Sequence, residues 1–224
     1  MDLIYLPVSL GEAIDKLTIL DIKLEKIKDD RKIDVQKEYD LLYEKLNDFL
    51  IKYNDLYQSM KKVNVLIWNM MDTLRDGNNI TSDEYLKVCK ECIEYNDIRF
   101  RVKNKINYIS ESLLKEQKSY KVNRLMIEIN NNIENITDFI KPIKYYSFFY
   151  DEINIIYNDY NDLSTVLKDE FKYDPTIIFE NESIHQNLKE YKKQFIFLNN
   201  FYEKNDIFLN FELNDDIINK ILHE

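Results

Sequence analysis

Val8-Ser9-Leu10-Gly11-Glu12-Ala13-Ile14-Asp15-Lys16-Leu17-Thr18-Ile19-Leu20 is the stretch that decides the fold class. Ser9 followed three residues later by Glu12 is a capping box: the hydroxyl accepts a backbone N–H, and the carboxylate reaches back to the cap. Beyond it, apolar residues fall at Leu10, Ala13, Leu17, Leu20, Leu24 and Ile27, alternating steps of three and four that share one seam of a helix. Asp29-Asp30-Arg31 interrupts the run. Val35, Tyr39, Leu42, Leu46, Phe49, Tyr53 and Leu56 then repeat the spacing, which predicts two amphipathic helices folded back as an antiparallel hairpin.

A third helix is expected from Ser59 to Arg75, with Met60, Val63, Ile67, Met70 and Leu74 inward and Asp76-Gly77-Asn78-Asn79 as its stop. Thr81-Ser82-Asp83-Glu84 is a second capping box. It launches a long fourth helix with Tyr85, Val88, Cys92, Tyr95, Val102, Ile106, Ile109 and Leu113 on its seam.

From Val122 the pattern changes. Leu125 to Ile129, Ile153 to Tyr157, Thr176 to Phe179 and Phe195 to Leu198 read as short strands. Between them stand helical stretches at Ile136 to Phe149, Leu163 to Phe171 and Ile184 to Lys193, and a last helix is expected over Asp215 to Leu222. Parallel strands need helical crossovers, so this alternation predicts a small, mainly parallel sheet. Pro142 requires the helix around it to begin near Lys141 or to kink. The chain thus divides into a helical domain over 1–120, an antiparallel bundle or pair of hairpins, and a small α/β domain over 121–224.

Composition agrees with this division. With 224 residues, 45% of them hydrophobic, the chain is long enough for real cores, and two Gly and three Pro are too few for a turn-rich sandwich or barrel. A net charge of -10 repels phosphate backbones and disfavours nucleic acid as a partner. The amino terminus lacks a basic region, and no apolar run is long enough to span a bilayer. A cytoplasmic location is therefore expected.

The familiar chemical signatures are missing. Cys89-Lys90-Glu91-Cys92 lies inside a helix, whereas the redox motif follows a strand, and the only histidines, His185 and His223, belong to the other domain. Free thiols, no metal ligand set and no cofactor are the expectation. With Gly only at 11 and 77, the second half has no glycine-rich phosphate cradle. His185 has no nucleophile beside it.

One polar set stands out. Asn96, Arg99, Lys103 and Asn107 recur at steps of three and four on the fourth helix and share a face. With Glu12, Asp15, Lys16 and Lys23 of the first helix they define a candidate groove, in which Arg99 is expected to pair with Glu12 or Asp15. Trp68, with Asn64, Asp72 and Arg75 beside it, reads either as a core anchor or as a stacking surface for a sugar or a partner side chain. The alternative for the whole stripe is the solvated side of an amphipathic helix.

Several of these residues also carry a resemblance. Val8 to Leu20 with Lys23 and Ile27, Asn64-Val65-Leu66-Ile67-Trp68 with Asp72 and Arg75, Asn96-Asp97-Ile98-Arg99 with Lys103 and Asn107, and Glu116-Gln117-Lys118-Ser119-Tyr120 together resemble a domain family of unknown function. That family occurs in bacterial and viral proteins and is associated with surface-polysaccharide genes. The resemblance marks the same polar residues as a shared site, and a viral origin would place the protein in the host cytoplasm. The second half resembles the N-terminal nucleotide-fold half of two-domain (GT-B-like) glycosyltransferases. Asn130 to Asp138 stands there without glycine, in the place of the Gly-rich loop, and the chain ends before a donor-binding half.

Three functions follow as expectations. The first is an accessory protein of surface-glycan assembly that binds a carbohydrate intermediate or a partner glycosyltransferase without catalysis. The second is a homodimeric helical scaffold with no small ligand, and the third a complete glycosyltransferase with an atypical site.

Overall fold

Ser9 adopts extended backbone, and its hydroxyl accepts the N–H of Glu12 at 3.1 Å, so α1 starts where the capping signal places it and runs Leu10–Lys26. In the computed structural model, residues 4–77, 80–119, 123–129, 140, 143–144, 146–157, 162–172, 174–181 and 193–197 are described. They form two compact units, one within Met1–Glu116 and one within Gln117–Ile218.

The first unit holds four helices: α1, α2 (Arg31–Lys52), α3 (Asn54–Asp76) and α4 (Ser82–Ile109). The second predicted seam continues to Leu56, but the helix breaks at Tyr53, where φ is -130° and ψ is 44°. Leu56 therefore belongs to α3, which begins at Asn54 rather than Ser59. No glycine or proline marks this break, which is why periodicity reads through it. Gly77 closes α3 in the left-handed region at φ 58°, and Thr81 with Glu84 forms the complete capping box that starts α4.

α1 packs against α2, α3 and α4, and for that reason its buried face is broader than one seam. Gly11, Ile14, Asp15, Leu17, Thr18, Leu20 and Ile22 are buried, whereas Leu10, Ala13, Leu24 and Ile27 are half-buried. α2 buries only Leu46 and Phe49. In α4 the buried residues lie between Ile98 and Asn107, while Tyr85 of the predicted seam is exposed and Leu113 stands beyond the helix end.

In the second unit, β1 (Arg124–Ile129), β2 (Glu152–Tyr157), β3 (Ile177–Asn181) and β4 (Lys193–Phe197) form one parallel sheet of order β3-β2-β1-β4, with α5 at Asp162–Phe171. The register sets Leu125, Ile153 and Ile177 side by side, and Ile127 next to Ile155. Leu167 and Phe171 of α5 and Ile143 close over this face to make one apolar cluster. Met126, Asn154 and Ile156 alternate with them and are buried too, as expected for parallel strands covered on both faces. Asn130 to Asp138, Pro142, residues 184–192 with His185, the expected helix at Asp215 to Leu222, and His223 lie outside the described residues.

The two glycines answer different needs. A Cβ on Gly11 would stand 2.5 Å from the backbone carbonyl oxygen of Lys103 and 2.8 Å from Asn107 Oδ1, so α1 and α4 approach here as only glycine permits. A Cβ on Gly77 would make only ordinary contacts, at 3.9 Å and beyond, but the residue has a positive φ. Gly11→Ala gains up to ~1 kcal/mol of helix propensity, yet forcing the helices apart costs about 1–3 kcal/mol, and backbone cannot rotate away as a side chain does. Urea denaturation is expected to show Gly11→Ala as clearly destabilising. Gly77→Ala is expected to lose only about 1 kcal/mol through backbone conformation alone.

Candidate functional site

Close approach at Gly11 sets which side chains of α1 and α4 meet. The backbone N–H of Gly11 donates to Asn107 Oδ1 at 2.7 Å. One residue on, Glu12 Oε2 lies 3.0 Å from Lys103 Nζ, and one helical turn on, Asp15 Oδ1 lies 3.3 Å from Arg99 Nε. Arg99 thus has the acidic partner expected of it. Glu12 does not reach back to the cap, as the capping-box reading required, because its carboxylate neutralises the buried Lys103 ammonium instead.

Asp15 is the centre of the arrangement. It is 3% exposed, and α3 supplies Asn64, whose Nδ2 donates to Asp15 Oδ1 and to Thr18 Oγ1, both at 2.8 Å. Thr18 in turn donates to the Asp15 backbone carbonyl at 2.7 Å. Burial pushes the Asp15 carboxyl above the ordinary aspartate range, against the opposing pull of the Asn64 hydrogen bond, Arg99 and Lys103.

Lys103 shows the opposite balance. Burial alone lowers an ammonium pKa, but the bonds and charges of Glu116 and Glu12 outweigh it and hold Lys103 above the ordinary lysine value. Glu116 reaches Lys103 because the chain turns sharply after α4: Glu111 takes a left-handed φ of 52°, and the Ser112 N–H returns to the Asn107 carbonyl at 2.8 Å. Ser112 Oγ also accepts the Leu10 N–H at 3.3 Å, tying this turn to the start of α1. Asn107 Nδ2 is buried and makes no hydrogen bond.

Of the residues singled out from the sequence, Glu12, Asp15, Asn64, Arg99, Lys103 and Asn107 come together. Lys16 is exposed and pairs with Glu38 of α2 at 2.6 Å. Lys23 is half-buried three turns along α1, and Arg75 is equally far from Asn64 on α3, exposed and 3.8 Å from Asp72. Asn96 is exposed one turn before Arg99. Trp68 is half-buried one turn beyond Asn64. Asn64 meets α4 at the Arg99 level through Asp15, and Met71 meets it at Cys92, so along their helices Trp68 and Asn96 lie between these two levels. Thr18, Glu116 and Ser112 join the cluster without having been named as site residues, although Thr18 and Glu116 stand in the stretches that carry the family resemblance. Thr18 had a local signal, a hydroxyl amid apolar neighbours three residues from Asp15, whereas Glu116 lies beyond the helix with no periodic relation to it, and its signal was its place in the family motif.

A cleft of about 430 Å³ lies elsewhere, between the end of α3 and the start of α4, lined by Thr73, Asp76, Gly77, Ile80, Glu84, Lys87, Val88 and Glu91. Among the described residues no group of three His, Cys, Asp or Glu side chains is placed to hold a metal ion, and no helix is long and apolar enough to cross a membrane.

Comparison with known proteins matches residues 4–132 to a family of unknown function (DUF6165). No curated protein and no solved structure matches.

Asp15 gives the cluster a measurable pH signature. Its native pKa is raised, so its favourable contribution is complete below the unfolded value near 3.8 and is lost as pH rises through the native pKa. Asp15→Asn removes this titration. Denaturant unfolding of the two proteins at a series of pH values is expected to show the stability of wild type falling relative to Asp15→Asn as pH rises from about 4.

Proposed function

The chain belongs to the DUF6165 family, and from that premise we propose that it is an accessory protein of surface-glycan assembly that holds a carbohydrate for a partner transferase and does no chemistry itself. The observation that carries this reading is Arg99. Its Nε is fixed against a buried carboxylate while 26% of its side chain stays open, one helical turn from exposed Asn96. Planar donors and acceptors locked from behind are what sugar hydroxyls require, and the half-buried Trp68, one turn beyond Asn64 on α3, is an aromatic on which a sugar face could stack.

Charge selects the ligand class. Arg99 and Lys103 are outnumbered by Asp15, Glu12 and Glu116, so a neutral sugar suits the site better than a phosphate or uronate. In this reading the helices form antiparallel hairpins, the domain boundary falls at residue 120, the α/β half is a remnant of a glycosyltransferase nucleotide fold, and the protein works in the cytoplasm. Titration calorimetry of the purified chain against neutral oligosaccharides tests it. Asn96→Ala, an exposed change worth less than about 0.5 kcal/mol of stability, is expected to weaken binding roughly tenfold. Absence of any oligosaccharide binding, or binding indifferent to Asn96→Ala and Arg99→Lys, would overturn the proposal.

A second reading has its own support in α2, which leaves Ile33, Leu41, Tyr43 and Ile51 outward. These residues suit pairing with a second copy of the chain. Sedimentation equilibrium is expected to give a dimer that Leu41→Glu with Ile51→Glu dissociates, while a monomeric wild type would exclude it.

A further inference from the structure

Two sulfur atoms meet where α3 packs against α4, and a third lies one helical turn away. Cys92 Sγ lies 3.8 Å from Met71 Sδ, and Cys89, one helical turn before Cys92, is on the same face of α4. Both cysteines are free and half-buried. We propose that Cys89, Cys92 and Met71 form a binding site for a soft monovalent metal ion, Cu(I), independent of the carbohydrate site.

Geometry supports shared ligation. A metal–sulfur bond of about 2.3 Å opened to a trigonal or tetrahedral angle separates two ligating sulfurs by roughly 3.8–4.0 Å. The Cys92–Met71 separation already has that value, so the thioether and thiol need no backbone movement to share an ion. At i and i+3 the second thiol is within reach through a side-chain rotation, because Cβ atoms so spaced are ~5–6 Å apart.

The donor set selects the metal. Zinc takes four borderline N or S ligands in a structural site, and here there are two thiols and a thioether. Sulfur donors of this softness select Cu(I). On binding, each thiol gives its proton to solvent and the two thiolates and the Met71 sulfur donate to the metal, with no change of oxidation state.

Competition with the Cu(I) chelator bathocuproine disulfonate under anaerobic conditions tests the site in the full chain. One Cu(I) per chain is expected, with Cys89→Ser and Cys92→Ser each abolishing competition and Met71→Leu weakening affinity about tenfold. X-ray absorption of the wild-type complex, which does not depend on the variants folding, is expected to show three sulfur scatterers at about 2.3 Å. No uptake, uptake unchanged in Cys92→Ser, or a shell of nitrogen and oxygen scatterers would overturn the assignment.

Discussion

Where a Cβ on Gly11 would stand, the backbone of α4 leaves no space, and the pairings of the helical unit follow from that approach. Bringing α1 this near to Lys103 and Asn107 lets an N–H of the first turn bond to Asn107, puts Glu12 opposite Lys103, and sets Asp15 opposite Arg99. A larger residue would lengthen all three at once. The glycine therefore acts on the register of two helices far apart in sequence, although locally it weakens the first turn of one of them.

The polar cluster makes that register specific. A buried carboxylate without partners is costly, and a slip of one turn between α1 and its neighbours would strand Asp15 away from both Asn64 and Arg99. Apolar seams alone tolerate such slips, since Leu and Ile pack against many surfaces. Lys103 reinforces the same choice from the other side, because Glu12 comes from α1 and Glu116 from the segment after α4. One set of residues can thus both define the fold of the unit and leave one partly open guanidinium at its edge.

The second unit is organised differently. Its register aligns the buried Leu125, Ile153 and Ile177 across adjoining strands, with an ion pair between Arg124 and its register partner Glu152 at 3.2 Å at the strand start, and the core is completed by Leu167 and Phe171. Asn154 on the opposite face is buried and donates to Glu152 of its own strand at 2.9 Å. Parallel strands buried on both faces are specified by continuous apolar runs and by crossover length, and these are features a sequence displays openly.

Local signals accordingly determined much of this protein without tertiary information. The caps at Ser9 and Thr81, the stop at Gly77, the four helices and the strand–helix alternation all rest on hydrogen bonds or periodicities within a few residues. The shared face of Arg99, Lys103 and Asn107 was legible for the same reason. What only the tertiary structure decided is which polar residues are sealed in and which stay in water: Lys103 is buried but Asn96 is exposed, and Glu12 leaves its cap for an ammonium on another helix. Periodicity places a residue on a face of its own helix, but it carries no information on how many helices cover that face or how closely they approach. The breadth of the buried face of α1 and the arrival of Glu116 were settled by packing between distant segments, where the cost of an unpaired buried charge selects one arrangement.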